Sequence, residues 1–339
     1  MIDSLYDLLQ EAVQYEASDI HINHRIYFRV KKQLFAYPLS GKELSEAIEN
    51  LWGDLVDFMP DIIAPKYHHS SVSAYKPMEL STTICVGPRD SKSSVHVRCR
   101  VSYFLQAGWP SFAIRLFRPS VPSLDELGSP PVLKSLALKE SGLVLICGAT
   151  GSGKSTTLAA LVQHINLHAR KHILTLEDPI EYMHESQQSC ITQREIGLDS
   201  PDFQTALKAS LRQNPDVIVI GEILDSVVLK QAINHSLSGH LVLASFHAKG
   251  AVHAITRILG LCQGEGGMHE SLADCIVGIV TQRLLEGQSG LEADYEVLVS
   301  TPAVRTLVRE NKISQLDSQI SMGRAQGMRH FAGKIGDSL

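Results

Sequence analysis

The sequence predicts an α/β protein, a doubly wound domain preceded by a smaller α+β domain, and three observations carry that reading. Beyond residue 132, short apolar runs alternate with helical periodicities, as a buried parallel sheet with crossover helices requires. Before residue 119 the alternation has period two, the mark of antiparallel strands with one face on a core. Between these regions Pro119, Pro122, Gly128, Pro130 and Pro131 crowd into one stretch, the composition of a semi-rigid linker. The expected division is 1–118, a linker over 119–132, and 133–339.

In the first segment Leu5, Leu8, Leu9, Ala12 and Val13 recur at helical spacing behind Ser4, the expected cap. Ile20 and Ile22 alternate with Asp19 and His21, and Ile26, Phe28 and Val30 with Tyr27 and Arg29, giving two short strands. Leu44–Phe58 reads as a second helix, and residues 61–80 give no signal. Alternation returns with Val95, Val97, Cys99 and Val101, then Phe112, Ile114 and Leu116, across a turn at Gly108-Trp109-Pro110.

In the second segment the apolar runs are Leu143–Cys147, Ile173–Leu176, Val217–Ile220 and Leu241–Ala244. Pro201 opens a helix behind a Ser200 cap, with Phe203, Ala206, Leu207, Ser210 and Leu211 on one face.

Composition excludes several classes of function. A formal net charge of −5 argues against a chain built to neutralise nucleic-acid phosphates, and no direct nucleic-acid partner is expected. No apolar stretch approaches the roughly 18–20 residues that span a bilayer. Met1-Ile2-Asp3-Ser4 lacks the charged and apolar regions of a signal peptide, so the expected compartment is the cytoplasm. The six cysteines form no C-x-x-C pair, which leaves no zinc pattern, and they read as small buried hydrophobes. His21 and His24, three apart and able to share a face only in a helix, and the pair His68-His69 have no nearby set of carboxylate or thiol partners and read as surface or core histidines.

The strongest signal follows Leu143–Cys147. Gly148-Ala149-Thr150-Gly151-Ser152-Gly153-Lys154-Ser155-Thr156 satisfies G-x-x-x-x-G-K-[ST], with a buried strand before it and a helical run, Leu158–Ile165, after it. Glycines let backbone N–H groups curl round phosphates at a helix N-terminus. Lys154 reaches the β- and γ-phosphates and Ser155 offers its hydroxyl to Mg²⁺, so the expected ligands are ATP and Mg²⁺.

ATP hydrolysis also needs a group that orients or deprotonates water and groups that hold the metal. In doubly wound sheets these sit at the carboxyl ends of strands. Ile173–Leu176 runs into Glu177-Asp178-Pro179-Ile180-Glu181, and Val217–Ile220 into Gly221-Glu222. His240 and His247 bracket the strand Leu241–Ala244 and are candidate sensors of the γ-phosphate.

These residues resemble the secretion ATPase superfamily, which powers type II secretion, type IV pili and some type IV secretion machines. Walker A matches Gly148–Thr156, the Asp box Thr175–Tyr182, the atypical Walker B Val219–Glu222, and the His box Ser238–His240 through Ser245–His247. Ala17-Ser18-Asp19-Ile20-His21-Ile22 is similar to the opening strand of that family's N-terminal domain.

The resemblance implies a PAS-like N-terminal domain, a RecA-like ATPase domain and a hexameric ring. It implies Glu181 as the catalytic glutamate, supported by Glu177 and Asp178, with Glu222 holding the Mg²⁺ shell. It points to Arg100 and Arg115 as the N-terminal arginines that reach the nucleotide. Two positions depart from the family pattern. Leu224 stands where an arginine is usual and Ala248 where a threonine is usual, which puts communication between subunits in question.

Thr301–Glu310 and the following Asn311–Met328 are similar to PilT-type retraction ATPases, with Ala303, Leu307 and Val308 expected on the inner face of a helix. That likeness implies a motor at the inner face of the inner membrane, working on a pilus platform protein. Two alternatives stay open on the same motifs: a motor for type IV secretion or conjugation, and a nucleotide-dependent scaffold with little turnover.

Overall fold

A computed structural model describes residues 5–31, 33–38, 46–47, 50, 78–86, 95–107, 109–117, 120–262, 266–287 and 290–332. The chain divides into two units, 1–120 and 121–339. Among the described residues no helix is long and apolar enough to cross a membrane. Ser4, His68-His69, Pro119 and most of Leu44–Phe58 lie outside the described residues.

In the first unit the expected amphipathic helix is α1 (Leu5–Gln14), which buries Leu5, Leu8, Leu9 and Ala12 and leaves Val13 outside. It is followed by β1 (Asp19–Ile22), β2 (Ile26–Val30), β3 (Gln33–Ala36), β4 (Met78–Val86), β5 (Val95–Gln106) and β6 (Trp109–Leu116). They form a six-stranded sheet in the order β3-β2-β1-β6-β5-β4, antiparallel throughout. Period two explains the packing: Ile20, Ile22, Phe28, Val97, Cys99, Val101 and Ile114 share the core with α1. Two local readings change. His21 lies on β1, as the alternation over Asp19–Ile22 requires, so it shares no helix face with His24; Trp109 and Pro110 belong to β6, so the turn falls one step earlier, at Ala107 with φ 51.

The second unit contains α2 (Val132–Ala137), β7 (Gly142–Cys147), α3 (Lys154–His168), β8 (His172–Glu177) and β9 (Cys190–Glu195). Then come α4 (Phe203–Ser210), β10 (Val217–Ile220), α5 (Ser226–Leu237), β11 (Leu241–Phe246), α6 (Ala251–Leu261) and α7 (Met268–Cys275). The hairpin β12 (Ile276–Gly287) and β13 (Gly290–Val299) precedes α8 (Pro302–Arg309) and α9 (Leu316–Met322). The sheet order is β13-β12-β7-β11-β10-β8-β9, parallel except for β13.

The four apolar runs are central strands, and their side chains divide by parity between two cores. Leu143, Leu145, Leu174, Leu176, Ile218, Ile220, Val242 and Ala244 pack with α4–α9 on one face. Val144, Ile146, Ile173, Val217, Val219, Leu241 and Leu243 pack with α2 and α3 on the other. Both faces are covered, which is why these runs are apolar except at Thr175, whose buried hydroxyl donates to Glu177 Oε1. Leu124, within the proline-rich stretch, is buried with Leu133 and Leu136, so that part of the connector packs on this unit.

The cap of α4 is Asp202, whose Oδ1 accepts from Thr205 N at 2.6 Å; Ser200 is buried and donates its hydroxyl to Asp202 O. Leu211 falls past the last turn of α4 and is exposed. On α8 the inner residues are Val304 and Val308 with Leu307 partly covered, and Ala303 is exposed. Val304 and Val308 are four apart and therefore share a face. Four of the described cysteines, Cys99, Cys147, Cys262 and Cys275, are buried and Cys190 is exposed.

Ile218 is fully buried between β8 and β11. Ile218→Ala is expected to cost about 2–5 kcal/mol, read as a lower urea midpoint with an unchanged slope. A cost under about 1 kcal/mol would mean that this strand is not packed as described.

Candidate active site

All six residues of β7 are buried, and the chain leaves the sheet directly into the glycine loop that opens α3. Gly153, the residue before the helix, has φ 86, a conformation that L side chains rarely adopt. At Gly148 the constraint is space: an added Cβ would fall 2.5 Å from the carbonyl oxygen of Gln282. Gly148 also has φ 153, so backbone conformation favours glycine at both points and close packing adds a second reason at Gly148.

Lys154 is buried, and its Nζ donates to Gly148 O at 3.2 Å and Ala149 O at 3.0 Å. Burial lowers its pKa from the ordinary lysine value, while the negative charges of Glu222 and Glu181 act the other way. Ser155 is exposed at the head of α3. Thr156 Oγ1 meets Tyr182 OH at 3.1 Å, joining α3 to the acidic loop after β8.

That loop is built by hydrogen bonds. Glu177 Oε1 accepts from Thr175 Oγ1 at 2.7 Å and Gln193 Nε2 at 3.2 Å. Burial raises the Glu177 pKa, the two donors oppose it, and the charges of Glu181 and Glu195 add to it. Glu195 is buried and its Oε2 accepts from Ile180 N at 3.1 Å, fixing the turn between Asp178 and Glu181. Asn166 of α3 donates to Glu185 O at 2.7 Å and accepts from Gln187 N at 2.9 Å, holding the far end. Glu181 is half-buried and Asp178 exposed.

Glu222 follows β10, and its Oε1 meets His247 Nε2, which follows β11. Lys154, Glu177, Glu181, Glu222 and His247 thus occupy one edge of the sheet. His240 does not join them. It precedes β11, whose six residues at about 3.3 Å each set it roughly 20 Å from His247. Its Nδ1 lies 3.0 Å from His235 O. Strand length separates two histidines that bracket the same run in sequence. Of the departures from the family pattern, Leu224 is exposed and Ala248 is buried.

Arg100 and Arg115 belong to the first unit, where they are direct cross-strand partners on β5 and β6. Arg115 Nε donates to Asp19 Oδ1 at 3.0 Å, and Asp19 also faces Arg29 across β1 and β2. A carboxylate on the neighbouring strand therefore holds one of the two arginines.

Sequence reasoning missed Glu195, Asn166, Gln193 and Gln282. Gln282 of β12 is buried and its Nε2 donates to Ser152 O at 2.6 Å. None of these belongs to a recognisable motif, and Gln282 is 130 residues from its partner. The donors available for Mg²⁺ suit it: Ser155 and Glu222 offer oxygen, and the described residues contain no group of three or more His, Cys, Asp or Glu that could hold a metal. Mg²⁺ bound with nucleotide takes much of its shell from phosphates and water, so two protein donors fit.

A glycine loop at the head of a helix, with a buried lysine and carboxylates at neighbouring strand ends, defines a P-loop ATPase of RecA-like fold. The chain belongs to the type II/IV secretion system protein family, whose model matches residues 88–331. It is 45% identical over 237 residues to the uncharacterized protein YggR of Escherichia coli, covering 69% of this chain and 73% of that one. A twitching motility protein of Neisseria gonorrhoeae is 41% identical over 236 residues, 68% of this chain and 63% of that protein, so the match spans less than two thirds of that relative. The crystal structure of the pilus retraction motor PilT with bound ADP superposes with a TM-score of 0.75 at 28% identity, covering 96% of this chain and 94% of that one.

Burial on the acidic loop gives a pH signature. His184 donates its backbone N–H to Gln193 Oε1 at 2.8 Å, and burial lowers its pKa to about 4. In the unfolded chain a histidine titrates near ~6.5. Its contribution to stability is therefore complete above that value and drains as pH falls toward 4. His184→Gln should flatten the fall in melting temperature between pH 7 and pH 5. Parallel curves for variant and wild type would contradict the assignment.

Proposed function

We propose that the chain hydrolyses Mg·ATP as a ring-forming motor, a hexamer, and that the work retracts a type IV pilus. The observation that carries the chemistry is Lys154, buried on the carbonyls of its own loop and within electrostatic reach of Glu222 and Glu181. An ammonium in that position exchanges weak carbonyl partners for phosphate oxygens. Support for the work performed comes from the twitching motility protein and the retraction motor among the relatives.

In this reading the loop N–H groups and Lys154 hold the β- and γ-phosphates, with Gly148–Thr156 as the cradle. Ser155 and Glu222 would hold Mg²⁺, which supplies positive charge to the phosphates. Glu181 accepts the proton of the attacking water, with Glu177 and Asp178 beside it. His247, through its contact with Glu222, reports whether the γ-phosphate remains. Arg100 and Arg115 are the arginines assigned to the γ-phosphate, and Arg115 must release Asp19 to serve there. The partner is a pilus platform protein at the inner face of the inner membrane, and the motor is cytoplasmic and peripheral.

Lys154→Ala is expected to abolish turnover. Glu181→Gln should keep ATP affinity while kcat falls about 10²–10⁴-fold, measured on size-fractionated protein in which activity follows the oligomer. Wild-type turnover in Glu181→Gln would pass the role to Glu177, and a fully active monomer would end the ring reading.

Helix α8 separates retraction from hydrolysis. Arg309 pairs with Asp274 of α7 at 2.6 Å between exposed side chains, and Arg305 is half-buried. An exposed pair contributes only about 0–1 kcal/mol, so removing both arginines leaves Val304 and Val308 to hold the helix. The double variant Arg305→Ala, Arg309→Ala should retain basal hydrolysis and assembly and lose pilus retraction in cells. Intact retraction would exclude α8 as the output element, and a proportional loss of hydrolysis would make it a packing element.

A further inference from the structure

Strand β12 is the neighbour of β7 on the side away from β11. Its Thr281 pairs with Cys147, the last residue of β7, so the next residue runs beside the first glycine of the loop. That residue is Gln282, which is 2% exposed. It meets the loop at three points. Its carbonyl oxygen is 2.5 Å from the place of a Cβ on Gly148, its Nε2 is 3.0 Å from the place of a Cβ on Gly153, and the same Nε2 donates to Ser152 O at 2.6 Å.

We propose that Gln282 is a positioning residue for the phosphates of the nucleotide, acting through the Ser152–Gly153 peptide. This rests on the ATPase reading of the loop. A peptide unit is planar and trans, so its C=O and the following N–H point in opposite directions. Drawing Ser152 O toward β12 therefore turns the Gly153 N–H away from β12, toward the hollow of the loop. Gly153, with no Cβ and φ 86, offers little resistance of its own to rotation of that peptide.

The orientation of the carboxamide follows from its partner, because only the NH₂ end can face a carbonyl. Its Oε1 is buried without a hydrogen-bond partner. An orphaned buried acceptor is costly, and the side chain nevertheless keeps its donor on Ser152.

The test uses the full-length protein and ADP binding measured by calorimetry, with adenosine and inorganic pyrophosphate as probes of the two ends of the ligand. Gln282→Met keeps the shape and removes the donor. ADP and pyrophosphate are expected to bind about tenfold more weakly, the loss of one buried hydrogen bond, with adenosine unchanged and the melting temperature within a few degrees of wild type. Gln282→Glu supplies a second readout. Its carboxylate has no proton to donate at pH 8 and faces a carbonyl, so ADP affinity should be lower still. Protonation at pH 5 restores a donor, and the gap to wild type should narrow.

ADP affinity within twofold of wild type in Gln282→Met would overturn the proposal. So would a loss shared equally by adenosine, or a pH-independent gap in Gln282→Glu. If wild-type protein binds no ADP, the ATPase reading itself fails, a result distinct from all of these.

Discussion

The carboxyl ends of β7 and β11 are level, those of β8 and β10 stop one and two residues short of them, and the polar groups of the site depend on that register. Cys147 lies beside Phe246, Ala244 beside Ile220, and Ile220 beside Leu176. Gly148, His247, Gly221 and Glu177 are simply the next residues out. A shift of one position would send each strand's side chains to the opposite core and withdraw a carboxylate or histidine from the edge. The two cores divide the strands strictly by parity, so apolar packing on both faces fixes the geometry of groups that are themselves polar. Site and core are in this sense one specification.

Held on that edge, the phosphate loop has few side chains with which to keep its own shape. Its supports come from elsewhere in the chain: Gln282 from β12, and Tyr182 against Thr156 at the start of α3. The acidic loop is supported in the same way, by Glu195 and Gln193 of β9 and Asn166 of α3. Asp294, nearly buried, ties β12 to the C-terminal segment by accepting from Arg283 and from Ala332 N. The strand that braces the loop is itself braced.

How much of this was legible in the sequence follows from where the physical signal is local. Central strands buried on both faces announce themselves as apolar runs, broken only by Thr175 in β8, and the glycine loop needs glycine and lysine at fixed spacing, so both could be read. Strand β9 could not, because Cys190-Ile191-Thr192-Gln193-Arg194-Glu195 is an edge strand, polar and half-exposed. Glu177, Glu181, Glu222 and His247 were found because they follow apolar runs. The pairing of His240 with His247 ignored strand length, and the inner face of α8 was misplaced by one residue at Ala303. Gln282 carries no local signature: its role exists only because β12 comes to lie beside β7.

One feature of the sheet order governs the site without involving any side chain. Strand β11 is interposed between β7, which delivers the lysine, and β10, which delivers Glu222. Neighbouring strands lie about 4.8 Å apart, so these two are separated by roughly 10 Å. On adjacent strands an ammonium and a carboxylate would tend to close on one another and neutralise each other. The intervening strand acts as a spacer with about the breadth of a phosphoryl group and a water molecule. Because topology sets that breadth, point substitutions can weaken the groups on either bank but cannot change the distance between the banks.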